Sequence, residues 1–324
     1  MTRLRAVCLA LSLVAAAPLL RAHEILPAVL TVWPDTVSGG RLTWSVPLLQ
    51  GRPILAAPDF GAACGLNSTA PPERTDTRLT QQLRANCPCD VLLRTPLTVV
   101  GPEAAIASAL AVLMGADGSV QRVRRLGPTD ARPLVAAEEG GSGAKSAYFS
   151  LGFWHVLEGY DHLGFAIALT LLLASWRRAV RAITAFSVGH SLTLAAASLG
   201  YLPPAGPAVE TMIALSVVLL AREVVMRTRG VESLSARRPE LIAVGFGLIH
   251  GLGFAGALAD IGLPESGRLW ALALFNVGVE AGQLLVLAAT ASLVLAAAHW
   301  SVGERVTVAL ATAIGGFGVY WLIG

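Results

Sequence analysis

The sequence predicts a mainly α-helical membrane protein: six transmembrane helices as a 3+3 inverted repeat, preceded by a small, mainly β, sandwich-like exported domain. Three observations carry this. The 324-residue chain is 54% apolar and only 14% charged, where a soluble domain carries about 25% charged residues, and its mean hydropathy is +0.64. From Ala147 onward the apolar residues gather into long runs with short connections. Before that point the apolar stretches are short, partly alternating and broken by Pro and Gly. The formal net charge of +3 is small. No basic patch is interleaved with aromatics, so nucleic-acid binding has no support. Neither a GKS/T loop nor a GxGxxG opening a helix is present, which leaves nucleotide hydrolysis without its usual loop.

Residues 1–22 read as a secretory signal. Arg3 and Arg5 form the basic region, Ala6 to Ala17 the apolar region, and Leu20-Arg21-Ala22 precedes the expected cut. That apolar core is short for a bilayer-spanning anchor. Cys8 lies too early, and lacks a flanking small residue, for a lipid-attachment site. Cleavage leaves His23 at the new N-terminus, where one residue's amine and imidazole can chelate a metal; the plainer reading is a solvent-facing His.

Residues 23–137 form the exported β-rich domain. Ile25–Trp33, Arg41–Leu48, Thr77–Leu83, Val91–Val100, Ile106–Met114 and Val120–Leu126 are strand candidates. Ala116-Asp117-Gly118 is a hairpin signal between the last two. Short strands with turn signals suggest an antiparallel sandwich, although Ala104–Leu113 also reads as a helix because Ala is a strong helix former. Cys64, Cys87 and Cys89 all lie here. An oxidising compartment favours a Cys64–Cys87 or Cys64–Cys89 disulfide; the alternative is a soft metal held by Cys87 and Cys89. Residues 138–146, with EEGGSGAK, are a flexible linker.

Residues 147–324 hold the spans, placed near 147–175, 182–199, 208–226, 241–259, 268–297 and 306–323. The connection after the first carries Arg177, Arg178 and Arg181, and that after the third carries Arg227, Arg229, Arg237 and Arg238. The positive-inside rule puts both in the cytoplasm. The N-terminal domain and the C-terminus then lie outside the cytoplasm.

The first span contains GFWHVLEGYDHLGFAIAL, with His155, Glu158, Asp161 and His162 in an otherwise apolar run. Each ionisable group at membrane depth costs roughly 2.5–3.5 kcal/mol. On one continuous helix all four share about a third of the circumference. The plain reading is a set of polar groups hydrogen-bonded inside a bundle. The sharper one is a cation site, since imidazoles with carboxylates suit a borderline divalent metal.

An internal repeat is visible. GFAxAL at Gly164–Leu169 recurs at Gly253–Leu258, and FxVG at Phe186–Gly189 recurs at Phe275–Gly278, both at an offset of 89 residues. Asp161 then aligns with His250, and Ser191 with Glu280. Three spans per copy make the second copy inverted, a transporter architecture with its site at midplane. Spans 1 and 4 should therefore meet at Asp161 and His250. His190 lies mid-span 2 and His250 mid-span 4, while Asn276, Glu280 and Gln283 share a face of span 5. Glu210, at the outer end of span 3, is either an access group or an interface carboxylate.

With these motifs in view — GFWHVLEGYDHLGF, FSVGHSLTL, VETMIALSVV, GFGLIHGLGFA and FNVGVEAGQL — the membrane half resembles the HupE/UreJ family, in its longer branch with an exported domain. The resemblance implies a permease for nickel or cobalt in a bacterial inner membrane, with the N-terminal domain and the C-terminus periplasmic, working alongside the maturation of nickel enzymes such as hydrogenase and urease. The family signature maps onto His155, Asp161 and His162. The second His-rich string of the short-branch members, FHG…HG…E, is absent in that form; His250-Gly251 and Glu280 are partial echoes. The expected ligand set is His155, Asp161, His162, His190, His250 and Glu280, with Glu158, Glu210, Asn276, Gln283 and His23 as secondary groups. Nickel is the expected ion, with cobalt, zinc and copper as alternatives. The competing functions are an intramembrane metal-dependent hydrolase and a membrane-anchored metal-binding accessory protein. The sequence sets no oligomeric state.

Overall fold

The computed structural model describes residues 27–34, 40–49, 51–75, 78–102, 109–115, 120–126, 131–135, 143–173, 175–202, 207–231, 234–261 and 268–323. The signal segment with Cys8, His23, the Ala116-Asp117-Gly118 turn and most of the linker lie outside these residues.

The β-rich part contains β1 (Ala28–Trp33), β2 (Arg41–Leu49), β3 (Arg52–Pro53), β4 (Ala57–Asp59), β5 (Leu66–Ser68), β6 (Glu73–Arg74), β7 (Arg78–Ala85), β8 (Pro96–Val100), β9 (Ala109–Met114), β10 (Val120–Leu126) and β11 (Arg132–Pro133). The main sheet runs β10-β9-β1-β2-β7-β5, and a small second sheet runs β11-β8-β4. The expected sandwich was wholly antiparallel, but β1 pairs with β9 in parallel, Val29 opposite Leu110. The chain leaves β1 along one side of the sheet and returns through β9 to its other edge. Period-2 alternation explains β9's composition. Ala109, Ala111 and Leu113 face the domain's own core, whereas Leu110 and Val112 face the helices. A strand covered on both sides reads as a continuous apolar run, so Ala104–Leu113 resembled a helix in the sequence.

The expected strand Val91–Val100 is instead a helix, α1 (Cys89–Arg94), followed by β8. Asp90 sits in the first turn of α1, where a negative charge is favoured. Leu92 plugs the core, and Thr95 Oγ1 donates to the Val91 carbonyl at 2.7 Å. Pro96 then stops the helix. Cys64 and Cys87 form the disulfide, which resolves the two alternatives; Cys89 stands outside it at the start of α1. Arg78 is buried across β2 and β7, donating to Ser45 Oγ at 2.7 Å and to the Pro27 carbonyl at 2.9 Å.

The helical part comprises α2 (Gly143–Glu158), α3 (Tyr160–Leu172), α4 (Trp176–Ser198), α5 (Pro207–Thr228), the short α6 (Leu234–Arg237), α7 (Pro239–Ile261), α8 (Arg268–His299) and α9 (Gly303–Ile323). Leu269–His299 and Gly303–Ile323 are long and apolar enough to cross a membrane; Tyr160–Leu172 and Pro239–Phe254 are shorter apolar helices. Each expected span coincides with a helix, with one exception. The first span is not continuous: it breaks at Gly159, whose φ of −74° and ψ of 102° are extended. Several helices begin earlier than the apolar runs. Arg177, Arg178 and Arg181 lie on the first turns of α4 rather than in a loop, because hydropathy marks the apolar portion of a helix and Arg is itself a good helix former.

Three helix pairs dominate the packing: α4 with α7, α2 with α8, and α5 with α9. Glycines set the closest approaches. A Cβ on Gly189 would collide with the Val244 carbonyl, and one on Gly247 with the Phe186 carbonyl; across α2 and α8, Gly152 and Gly278 lie likewise against the Phe275 and Phe149 carbonyls. The outer face of the main sheet rests on the helices. Val29, Leu110, Val112 and Val120 form one apolar cluster with Val156, Leu194, Phe254, Leu272, Phe275 and Val279. The β-rich part thus covers the helix ends opposite the Arg-bearing ones.

Candidate metal centre

The break at Gly159 builds the centre. His155 falls in the last turn of α2 and Asp161 in the first turn of α3, where the negative charge of the carboxylate is favoured. The backbone stays satisfied across the break, with Gly159 N–H donating to the His155 carbonyl at 2.8 Å and Leu163 N–H to the Gly159 carbonyl at 2.9 Å. A side chain at 159 would press on this corner: its Cβ would lie 2.9 Å from Asp161 Oδ1 and 3.1 Å from His162 Nδ1.

Asp161 and His162 are buried, as are His190 from α4 and His250 from α7; His155 is half-buried. Two groups emerge. The ligand atoms of His155, His162 and His190 all lie within 4.8 Å of one another, and so do those of Asp161, His162 and His250. His162 belongs to both. The His162 ring centroid is 4.6 Å from that of His155, 5.4 Å from His190 and 5.3 Å from His250.

Hydrogen bonds fix the roles of the ring nitrogens. His162 Nδ1–H donates to Asp161 Oδ1 at 2.9 Å, which leaves Nε2 as the lone-pair atom of the neutral ring. A carboxylate behind a histidine is the arrangement that orients metal ligands. Ser216 Oγ donates to the Ile213 carbonyl at 2.6 Å, and His250 Nε2 lies 3.1 Å from Ser216 Oγ. The single hydroxyl hydrogen being committed, His250 Nε2–H is the donor there and its Nδ1 carries a lone pair. That lone pair faces Asp161 Oδ2 at 3.6 Å. Neither atom has a hydrogen-bond partner among the described residues, and neither does either nitrogen of buried His190. Two acceptors facing each other in a buried space are unfavourable unless a cation lies between them. Tetrahedral ligands at about 2.1 Å from a metal stand roughly 3.4 Å apart, close to the observed spacing.

Aromatic rings close the centre on two sides. Phe254 and Phe275 stack with centroids 5.1 Å apart, and His155 lies 3.9 Å from Phe254. Phe165 and Phe186 meet at 4.6 Å, flanked by Phe246 at 5.7 Å from Phe165. Phe254 and Phe275 belong to the cluster under the β-sheet; Phe165 and Phe186 belong to the apolar cluster on the other side.

The structure brings together five of the expected ligands: His155, Asp161, His162, His190 and His250, with Asp161 meeting His250 as the repeat required. Glu280 is in neither group. Thr184 Oγ1 donates to its Oε1 at 2.7 Å, and Thr184 lies six residues before His190, about 9 Å along α4. Gln283 accepts from Ser187 Oγ at 3.0 Å, and Asn276 Nδ2 donates to the Leu272 carbonyl of its own helix at 2.8 Å. The polar face of α8 is thus turned largely to α4. Glu158 and Glu210 are exposed, at the end of α2 and the start of α5. Sequence reasoning passed over Ser216, Gly159 and the four phenylalanines. A lone Ser in the apolar VETMIALSVV, and recurrence of both Phe pairs at the repeat offset, were the available signals.

No curated protein and no solved structure matches the chain. A family model described as HupE / UreJ protein matches residues 132–324, all the described helices from α2 to α9 and more than half of the chain. On that match, the chain belongs to the HupE/UreJ family.

Proposed function

We propose that the protein is a secondary permease that carries a divalent transition-metal ion, nickel before cobalt, zinc or copper, inward across a bacterial inner membrane. One observation carries the reading: ligand atoms from α3, α4 and α7 converge within 4.8 Å in two groups that share His162, and the His250 Nδ1 lone pair faces Asp161 Oδ2. Neutral imidazoles with one carboxylate suit a borderline cation. The family's association with nickel and cobalt handling supports the same class of cargo.

Six spans in two inverted halves provide the framework. Exchange of the halves should pair span 1 with 5, span 2 with 4, and span 3 with 6. The packing of α2 on α8, α4 on α7 and α5 on α9 supports that symmetry. The two Phe pairs are repeat equivalents, Phe165 with Phe254 and Phe186 with Phe275. They flank the histidines on opposite sides, as the closed gates of an occluded intermediate would. Rocking one half against the other would open one pair at a time. The Arg-bearing helix ends face the cytoplasm, and the β-rich part caps the outer side.

His162→Ala removes the residue common to both ligand groups. The expected result is loss of nickel accumulation by cells expressing the variant at wild-type level. Unchanged accumulation would contradict the reading.

A further inference from the structure

The two ligand groups differ in which part of the chain supplies them. His155, His162 and His190 come from α2, α3 and α4, all in the first half of the framework above. Asp161 and His162 come from α3, but His250 comes from α7, in the second half. The first group can therefore move with one half. The second holds together only while the two halves are in contact.

Position and charge separate the groups as well. His155 lies against one aromatic pair, with centroids 3.9 Å from Phe254 and 5.6 Å from Phe275. His250 lies against the other, 5.1 Å from Phe186 and 5.7 Å from Phe165. His155 is half-buried, whereas Asp161, His162 and His250 are all buried. The first group offers imidazoles alone. The second adds the Asp161 carboxylate, whose Coulomb attraction for a divalent cation three neutral rings do not match. His162 gives its Nδ1–H to Asp161, so it has one lone pair to offer, and both groups cannot fill at once. In the first group, neither nitrogen of buried His190 has a hydrogen-bond partner among the described residues. Close backbone packing joins the helices that carry His190 and His250: a Cβ on Gly251 would collide with the His190 carbonyl.

We propose that the groups are successive stations for one ion: a loading site of His155, His162 and His190 within the first half, then a clamp of Asp161, His162 and His250 that joins the halves. The ion pivots about His162, drawn inward by the Asp161 carboxylate. Taking His250 as a ligand pulls α7 onto α3, so the cargo itself closes the protein around it. His250 thus couples binding to movement, and His190 serves loading only. This inference rests on the permease reading above.

The test uses the full chain in detergent. Nickel binding is titrated by calorimetry, and amide hydrogen exchange is followed helix by helix by mass spectrometry. Wild type should bind one ion per chain, with exchange slowed in α2, α3, α4 and α7. His250→Gln keeps a donor for Ser216 Oγ but removes the imidazole from the clamp. It should bind nickel more weakly and lose the slowing in α7 while keeping it in α2 to α4. Asp161→Asn, a second way to weaken the clamp, should likewise lose the slowing in α7. His190→Gln should bind more weakly yet keep the slowing in α7. The two-station proposal is overturned, with the permease reading left standing, by any of four results: two ions per wild-type chain, α7 slowed equally in His250→Gln, α7 no longer slowed in His190→Gln, or no binding at all in either of those variants. Absence of nickel binding in the wild type overturns both.

Discussion

Replacing Gly159 with alanine should damage the metal centre without removing a ligand. The backbone at 159, with φ −74° and ψ 102°, is open to any L-residue, so the substitution adds no intrinsic strain. The methyl group is the whole perturbation. It would lie 2.8 Å from the His155 carbonyl oxygen, 2.9 Å from Asp161 Oδ1 and 3.1 Å from His162 Nδ1. Carbon contacts are comfortable from about 3.5 Å, so the Asp161–His162 pair must retreat by roughly half an ångström. Metal–ligand distances tolerate only about 0.2 Å. Displacing a carboxylate that orients a ligating histidine typically costs 10–100-fold in metal affinity. The assay is calorimetric titration of purified protein with Ni2+, beside thermal unfolding. Gly245→Ala on α7, where a Cβ meets nothing within 4 Å, is the matched control and should bind as wild type. Wild-type nickel affinity in Gly159→Ala would refute the assignment of this corner as the ligand scaffold.

Four further outcomes follow from the same geometry. Ser216→Ala removes the acceptor for His250 Nε2–H and should weaken nickel binding about ten-fold, read by the same titration; an unchanged Kd contradicts the tautomer assignment. Imidazole binds metal as the neutral base, so uptake should fall on acidification once the histidines take up protons; uptake that rises on acidification contradicts it. Phe254→Ala should expose position 155 to a membrane-impermeant thiol reagent in a His155→Cys, Cys89→Ser background, whereas Phe165→Ala should not; equal labelling in both argues against two gates. Cys64→Ser with Cys87→Ser opens a loop closed across a separation of 23 residues and should lower the stability of the β-rich part by about 3 kcal/mol, read by denaturant melting of that part.

How much of this was legible in the sequence depends on the element. The helices α4, α5, α7, α8 and α9 could be read because long apolar runs with short connections admit few other structures. Their first turns could not, since Trp176 to Arg181 is polar yet helical. The break at Gly159 was hidden: a glycine between two apolar helical stretches reads as a tolerated defect until tertiary packing fixes its ψ. The parallel pairing of β1 with β9 is non-local, and no turn signal announces it. Asp161 and His250 were predicted to meet from repeat register alone, and they lie 3.6 Å apart. Glu280 shows the limit of that register. It shares a helical face with Gln283, but that face turns to Thr184 and Ser187, a choice made by helix rotation that spacing does not encode. Ser216 is a second example, because only the fold reveals that it faces His250.

The central claim is that the Asp161–His162 pair at the head of α3 handles a metal in transit. Nickel uptake into proteoliposomes containing only this protein, wild type beside Asp161→Asn, tests it most directly. The neutral amide keeps the size of the carboxylate but loses the charge that orients His162 and faces His250. The account predicts saturable uptake by the wild type and none above empty vesicles for the variant. Uptake in Asp161→Asn equal to wild type, or none in either, would contradict it.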